Sequence, residues 1–541
     1  HISTLSRVVC RREGVLPTSF AIRVSVDRDR GILQSSPVPP LASFALLAQM
    51  RWLPWLVLLS AALVMLPRPA VIHRFFKKSV LGHEGVDSCH LQTPRLNSTE
   101  VEAPTPVDPS QKAFDVVVYG ATGFTGRLVA EYLAKHPDVQ QKKVRLALAG
   151  RSADKLEALL QEVKPALDVK EAGSNPEDLE IGIFVAEAHD EAALLTMVQA
   201  TQVVLTLVGP YSEHGATLVR LCAENGVHYA DVSGEPLWHH RVADELHETA
   251  RRTGARIVLA AGYDSAPFDL GMLMALQAAS DFPGKVRDIM SMVRKAYGAV
   301  SGGTLASAAA SLPKSWDDAM KLLDPYLLNA DIETEEACRL DRFDVSGWGP
   351  IVRYEPVVNT VGIMHFMAPV NARIVRRSLS ILGVSPTYAE GMTLQAIVEG
   401  FRFWFNEYMR GGMDLFPSRG SGPSKALMKF GGGGIQTVAE LDDGNVVGVT
   451  LKWKGDIGYL ATSKMIAEAG LCLAQSSCRD SPLLKYDHEV EMFKQSRGGV
   501  LTPATAMGLP LLERYLRADD SDFMGMVVVA LDAYGNSYKF Q

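Results

Sequence analysis

Cysteine is scarce in this chain: six residues in 541. Cys10, Cys89, Cys222, Cys338, Cys472 and Cys478 form no Cys-x-x-Cys pair and have no histidine cluster beside them. That pattern argues against a zinc site and against a disulfide framework, so no metal is expected and a reducing compartment suits the folded body. Internal repeats are missing too, which argues against a solenoid or propeller. The uncharged stretch Trp52 to Leu66 has 15 residues, short of the roughly 20 that cross a bilayer as a helix. Excess positive charge is absent from the body. Residues 1–83 hold 11 Lys/Arg against 3 Asp/Glu, while the remainder holds 43 against 58. A body this acidic is a poor partner for nucleic acid, and none is expected.

What is present centres on Phe114 to Arg127. Val116 to Tyr119 form a short β-branched and aromatic run, the pattern of a strand buried on both faces. It stops at Gly120, and Gly123 and Gly126 follow at three-residue spacing. Leu128, Val129, Tyr132 and Leu133 then fall at helical spacing. Strand, glycine turn and helix in that order suit a dinucleotide. Gly120 allows the tight turn, Gly123 lets the backbone approach a pyrophosphate, and Gly126 lets the helix pack close to the strand. Free N–H groups at the helix start point at the phosphates. The turn residues Thr122, Phe124 and Thr125 belong to the same cofactor-binding set. A purely structural glycine turn is the alternative.

A second absence selects the cofactor. The strand Val144 to Ala149 ends in Gly150-Arg151-Ser152, with Lys155 one helical turn on. An Asp or Glu at this strand end would grip the 2′-hydroxyl of NAD. Here two cations and a hydroxyl stand instead, which suits a 2′-phosphate and favours NADP(H) over NAD(H). The alternative is that Arg151 and Lys155 are solvated surface charges.

Further strands follow at Ile181 to Ala186, Gln202 to Val208, Val227 to Val232 and Arg256 to Ala261, each separated by helical spacing. This repetition predicts an α/β fold with a Rossmann-type doubly wound parallel sheet. Glu187 ends the third strand within reach of an adenine, and Asp190 caps the next helix. Val208-Gly209-Pro210-Tyr211 ends the fourth strand and flanks the nicotinamide. Tyr211 is the first candidate proton donor, with a packing role as the alternative. Asp264, after the sixth strand, is the second candidate, and needs a raised pKa to donate at neutral pH.

The rest of the chain is less explicit. Trp52 to Leu66 suits a signal core or a short anchor, Met50 is a plausible start, and residues 1–83 as a whole suit a targeting or anchor segment. Residues 84–112 are proline-rich and read as a linker. Asn97-Ser98-Thr99 is a glycosylation sequon, meaningful only in a lumenal setting. The Rossmann domain takes 113–275. A second α/β domain, with a mixed or antiparallel sheet starting at Val286 to Ala296, takes 276–500. A C-terminal helix and tail, 501–541, is expected to pack back on the Rossmann domain. Ser301-Gly302-Gly303-Thr304 opens a helix whose start suits an anion or a close packing contact. Residues 315–385 read as irregular and show no clear chemistry. Met392 to Met413 is an aromatic stretch that suits a core helix, with a membrane surface or substrate tunnel as alternatives. Residues 417–434 read as a mobile loop, and Asp443-Gly444 as the turn of a hairpin.

Seven short sequences together resemble the saccharopine dehydrogenase-like oxidoreductases, the group that also contains the mycobacterial trans-acting enoyl reductases. They are Gly-Ala-Thr-Gly-Phe-Thr-Gly (120–126), Ala-Gly-Arg-Ser (149–152), Val-Gly-Pro-Tyr (208–211), Asp-Val-Ser-Gly-Glu-Pro (231–236), Gly-Tyr-Asp-Ser-Ala-Pro (262–267), Gly-Tyr-Leu-Ala-Thr (458–462) and Gly-Gly-Val-Leu-Thr-Pro (498–503). The resemblance implies an NAD(P)-binding Rossmann domain and a second domain whose sheet covers the crevice. It implies an oxidoreductase that reduces an enoyl or keto group of a lipid or glycolipid precursor. It also implies association with a membrane or lipid-droplet surface and a possible homodimer; the N-terminal segment leaves the endoplasmic reticulum, mitochondrion and plastid open as organelles. Two alternatives remain open: a non-catalytic dinucleotide-binding scaffold, and an amino-acid or polyamine dehydrogenase.

Overall fold

A computed structural model describes residues 112–164, 181–298, 307, 311–329, 352–355, 360–365, 367–410, 422–475, 498–518, 523–531 and 537–540. The anchor-like segment, nearly all of the linker, the sequon and the Ser301–Thr304 turn lie outside the described residues.

Seven parallel strands make the first sheet. In chain order they are β1 (Phe114–Tyr119), β2 (Leu146–Gly150), β3 (Gly182–Val185), β4 (Thr201–Thr206), β5 (His228–Asp231), β6 (Arg256–Val258) and β13 (Gly499–Leu501). Their spatial order is β3-β2-β1-β4-β5-β6-β13. This is the doubly wound order, with the reversal between β1 and β4 and one extra strand at the edge. Both faces are buried, which is why the strands read as continuous apolar runs. Val116 and Val118 face one core, while Val117 and Tyr119 face the other. On one side lie the helices α3 (Glu191–Gln199), α4 (Ala216–Glu224) and α5 (Pro236–Thr253). On the other lie α1 (Phe124–Lys135), α2 (Ala153–Val163) and α9 (Leu460–Ala474). Asp190 caps α3 by accepting the Ala193 amide at 3.0 Å.

The second sheet is mixed. It holds β7 (Val286–Tyr297), β8 (Val352–Glu355), β9 (Thr360–Met364), β10 (Thr387–Thr393), β11 (Gly432–Leu441), β12 (Val446–Lys454), β14 (Met524–Leu531) and β15 (Ser537–Phe540). The order is β15-β14-β12-β11-β7-β10-β9-β8, with β7 and β10 parallel and the other pairs antiparallel. Helix α6 (Ala266–Ala279) joins the sheets. It is apolar almost all round, so it must be enclosed on every side. Its Leu270, Met272 and Leu273 are fully buried in a core that continues from β1 to Ile435 and Leu451 of the second sheet. Truncating one such leucine to alanine costs ~2–5 kcal/mol.

Four expectations from sequence are corrected here. The stretch 315–385 is not featureless. It contains helix α7 (Ala368–Ile381), whose Arg373, Arg376 and Arg377 are buried. Those guanidiniums donate to backbone carbonyls, Arg376 to Tyr388 at 3.0 Å and Arg377 to Val500 at 2.9 Å. Buried arginines conceal the apolar period. Gly432 to Gly434 are not loop residues but open β11, and a Cβ on Gly433 would fall 2.2 Å from the Trp453 ring. Helix α8 (Leu394–Met409) is not a core helix: only Ala396 is buried, while Val398, Phe401 and Met409 are 54%, 51% and 67% exposed. The tail does not pack as one unit. β13 extends the first sheet, α10 (Pro503–Arg517) packs on α6 and α9, and β14 and β15 extend the second sheet. Val528 and Ala530 face the core through β14, which draws the tail there.

Candidate active site

The crevice of an open parallel sheet opens at the strands' carboxyl ends, beside the point where the order reverses. Here that point is the gap between β1 and β4. Gly120 turns the chain with φ +84°, a left-handed conformation that L side chains avoid. The turn is tight against the β4 loop, since a Cβ on Gly120 would lie 2.7 Å from Val208 Cγ2. At Gly126 a Cβ would lie 2.1 Å from the Gly120 carbonyl oxygen, so α1 crosses β1 in direct contact. Gly123 differs: a Cβ there meets only the Gly120 oxygen, at 3.2 Å. It is also the N-cap of α1, and no side chain caps the helix. The first-turn amides, including those of Thr125 and Gly126, therefore have no intrahelical partner and suit an anion. Thr122 leans toward Gly150, its hydroxyl 3.7 Å from where a Gly150 Cβ would stand. Phe124 meets Tyr459 edge-on, with ring centroids 5.0 Å apart.

At the neighbouring strand ends, Arg151, Lys155 and Glu187 are exposed. Ser152 is the N-cap of α2, and its hydroxyl makes no capping bond. The buried Tyr119 hydroxyl is pushed up to about 12 by burial, raised further by the Glu187 charge and opposed by Arg151. Arg151 and Glu187 thus reach the same edge of the crevice. Arg151 forms no ion pair among the described residues. Uncapped amides, an open glycine and a cation without a carboxylate partner fit the pyrophosphate and 2′-phosphate of NADP(H).

The β4 loop is held from beneath. Gly209-Pro210 is a cis peptide. The Glu235 carboxylate, itself buried, accepts the amides of Tyr211 at 2.8 Å and Ser212 at 2.9 Å. Asp231 does the same one strand over, accepting from Ser233 N, Ser233 Oγ and Ala260 N at 3.0, 2.6 and 2.9 Å. The sequence 231–236 is thus a clamp on strand ends. Ser233 Oγ also meets His239 Nε2 at 2.8 Å, but the carboxylate bonds the serine and not the histidine. Burial pushes His239 down to about 4. The arrangement is not a nucleophile triad.

Tyr211 is buried in the cluster under the sheet, and its hydroxyl donates to the Thr206 carbonyl at 3.3 Å. Burial raises its pKa well above the usual value, with Asp231 adding to the shift. A packed phenol with its proton on a carbonyl is a poor donor to substrate. Asp264 is different. It follows β6 and is partly exposed, and burial pushes it up to about 6, with His365 opposing and Glu390 reinforcing the rise.

His365 and Glu390 come from the second sheet and escaped the sequence reading. His365 Nδ1 lies 2.5 Å from Glu390 Oε1, both fully enclosed. Asn371 Nδ2 donates to the same oxygen at 2.9 Å. Ser265 Oγ donates to Asn371 Oδ1 at 3.0 Å. The Phe268 ring stacks on His365, with centroids 5.7 Å apart. Next to Asp264, the Tyr263 hydroxyl is buried without a hydrogen-bond partner, as is Nε1 of Trp453, whose ring lies 5.3 Å from that of Tyr263. No sequence motif joins residues 264, 365, 371 and 390. Among the described residues no group of three or more His, Cys, Asp or Glu is disposed to hold a metal ion.

Residues 116–258 match the family model of the saccharopine dehydrogenase NADP-binding domain. A Mycobacterium tuberculosis protein provisionally named a trans-acting enoyl reductase is 36% identical over 430 residues, covering 74% of this chain and 95% of that one. The trans-acting enoyl reductase of Mycobacterium leprae is 32% identical over 441 residues, covering 75% and 97%. Among solved structures, the saccharopine dehydrogenase (L-Glu forming) of Saccharomyces cerevisiae is similar over 77% of this chain and all of that one, at 13% identity and a TM-score of 0.42.

Proposed function

This chain belongs to the saccharopine dehydrogenase-like family that includes the trans-acting enoyl reductases, and we propose that it reduces an enoyl or keto group of a lipid-like substrate. It is an NADP(H)-binding oxidoreductase. When bound, NADPH supplies the hydride; the protein holds the phosphates, orients the ring and stabilises the developing charge. The Gly120–Gly126 turn binds the pyrophosphate, with Arg151 and its neighbours Ser152 and Lys155 at the 2′-phosphate. The observation that carries a lipid-like substrate is the outward face of α8. Leu394, Val398, Phe401, Tyr408 and Met409 are exposed along it, and Phe430 nearby is 80% exposed. Arg402 and Arg410 flank the stripe and are exposed. An exposed apolar stripe beside cations suits a helix resting on an anionic lipid surface. Among the described residues no helix is long and apolar enough to cross a membrane.

The test has two steps. Nicotinamide fluorescence compares NADPH with NADH, and NADPH is expected to bind at least about tenfold tighter. NADPH oxidation is then followed with trans-2-enoyl thioesters and ketones of short and long chain, with and without anionic vesicles. Long chains are expected to give the higher kcat/KM. Equal values for short and long chains remove the lipid claim. Binding without turnover of any probe replaces the reductase with a nucleotide-binding scaffold.

A further inference from the structure

Ser265, Asn371, Glu390 and His365 form one hydrogen-bonded series, and Asp264 precedes Ser265 in the loop that follows β6. The loop between β6 and α6 supplies Asp264 and Ser265, and the residue after β9, with α7 and β10, supplies the rest. Four members are buried: Ser265 and Asn371 at 0%, His365 at 1% and Glu390 at 8% exposure. Asp264 alone of the five is partly exposed. The bonds run in series, from Ser265 Oγ to Asn371 Oδ1 at 3.0 Å, Asn371 Nδ2 to Glu390 Oε1 at 2.9 Å, and Glu390 Oε1 to His365 Nδ1 at 2.5 Å. Because Ser265 is the chain neighbour of Asp264, this series fixes the backbone that carries the Asp264 carboxyl. The same carboxyl is electrostatically coupled to His365 and to Glu390. Packing alone would be met more cheaply by apolar residues, since enclosing an unneeded charge in a low-dielectric interior is costly.

We infer that Asp264 hands a proton to the substrate as the hydride arrives, and that His365 and Glu390 are positioning residues acting through it. This rests on the reductase reading above. In the step, hydride adds to one atom of the C=C or C=O bond. The π pair moves to the other atom, the Asp264 O–H bond breaks, and its proton joins that pair. The substrate gains two electrons, the nicotinamide loses two, and the carboxylate left on Asp264 is reprotonated from water. Tyr263, whose hydroxyl is buried without a partner beside Asp264, has a donor to offer a substrate oxygen. An ordinary aspartate would be ionised at neutral pH and unable to give a proton. The surroundings of this one keep the protonated form within reach of working pH. The two titratable side chains set against it act in opposite directions: His365 favours the carboxylate, and Glu390 disfavours it.

Those opposite signs make the test. The full chain and its D264N, H365N and E390Q variants are compared. Infrared titration without nucleotide, read as the difference between wild type and D264N so that Asp269 and Asp456 cancel, is expected to show a carboxyl component with its midpoint near pH 6. The midpoint should move up in H365N and down in E390Q, each opposite to the direction in which the removed side chain acts on Asp264. NADPH affinity by fluorescence should stay within about threefold of wild type in all three. Turnover of a long-chain enoyl thioester should fall by about 100-fold in D264N. Its alkaline limb should follow the infrared midpoint in the other two. A band that stays put in both H365N and E390Q overturns the inference, as does D264N turning over within about threefold of wild type. Either result leaves the reductase reading standing. A wild-type chain that binds NADPH but reduces no enoyl or keto probe overturns both. If one variant fails to fold, the wild-type midpoint and the remaining variant still decide, because an ordinary aspartate midpoint near 4 is incompatible with the role.

Discussion

The two halves of the crevice do their work with different parts of the chain. The parallel sheet presents backbone: a glycine turn, uncapped amides of α1, and strand ends held by Glu235 and Asp231. The mixed sheet and its helix α7 present side chains: His365 just after β9, Asn371 on α7 and Glu390 on β10. A site made of backbone needs particular residues at fixed short spacing, because only glycine fits a left-handed turn or a contact at 2.1 Å. A site made of side chains needs only that the fold bring them together. The first kind leaves a motif in sequence and the second leaves none.

The sharpest way to break this comparison is Gly126→Val. Its Cβ would stand 2.1 Å from the Gly120 oxygen and 2.9 Å from Ala121 backbone atoms, and backbone cannot step aside as a side chain tip can. We expect NADPH affinity to fall by more than about 100-fold, close to 3 kcal/mol. Gly123→Ala, whose Cβ has only a 3.2 Å contact, should stay within about tenfold. Fluorescence titration of both variants checks the contrast, and equal losses would show that the turn does not discriminate its glycines.

The seam between the halves gives the next effect. Asp269 on α6 is fully buried, accepting from Ala504 N at 2.7 Å and Ser378 Oγ at 2.5 Å. Burial pushes it up to about 7, with those bonds opposing the shift. A carboxyl whose folded pKa is raised stabilises fully below its unfolded value, and that stability is lost as pH rises through the folded value. The contribution of this group should therefore decline between about pH 4 and pH 7, by something of the order of a few kcal/mol, against an opposite drift from His239, which burial pushes down to about 4. Asp269→Asn should shift the pH slope of stability upward by that contribution, leaving those of Asp264 and Asp456, which are raised in the same direction. Urea denaturation at a series of pH values measures the slope. An unchanged slope would mean that Asp269 is not the group that titrates.

The mixed sheet has its own version of the glycine argument. Gly433→Ala would set a Cβ about 2.2 Å from the Trp453 ring, a clash that costs ~1–3 kcal/mol through local overpacking. Since Trp453 belongs to the core and not to the glycine turn, NADPH affinity should hold while the melting temperature falls. A drop in affinity of similar size would mean that the two halves are not separable.

How much was legible follows the same division. The parallel strands themselves were readable because Val116 to Val118, Leu146 to Ala149 and Val203 to Leu205 are buried on both faces and interrupted at regular intervals by helices. The Asp190 cap and the Asp443-Gly444 hairpin were readable because each rests on local chemistry; Gly444 indeed has φ +86°. Helix α7 was not, because Arg373, Arg376 and Arg377 sit where apolar residues would mark a buried face. β11 was not read from its start, because its glycines yield to a tryptophan 20 residues later that no local pattern announces. Tyr211 drew attention as the first proton carrier after β4, and Glu235, 24 positions on, decides how its backbone is held. The array behind Asp264 joins positions more than 100 residues apart, and only the tertiary fold relates them.

The smallest of these effects tests whether the charge at the end of β2 reads the cofactor or merely solvates the surface. Arg151 is exposed, unlike the enclosed arginines of α7, so its removal should leave stability within about 0.5 kcal/mol. If it holds a 2′-phosphate, Arg151→Ala should weaken NADPH by about tenfold, near 1.4 kcal/mol, and leave NADH almost unchanged. The NADPH-specific loss should shrink as salt is raised from 50 to about 500 mM, because an exposed pair is screened. Two cations stand at this strand end, so Lys155 retains part of the attraction and the single variant should not abolish binding. Equal losses for the two nucleotides would assign Arg151 to the shared pyrophosphate, and no loss for either would leave the preference for NADPH to residues other than this cation.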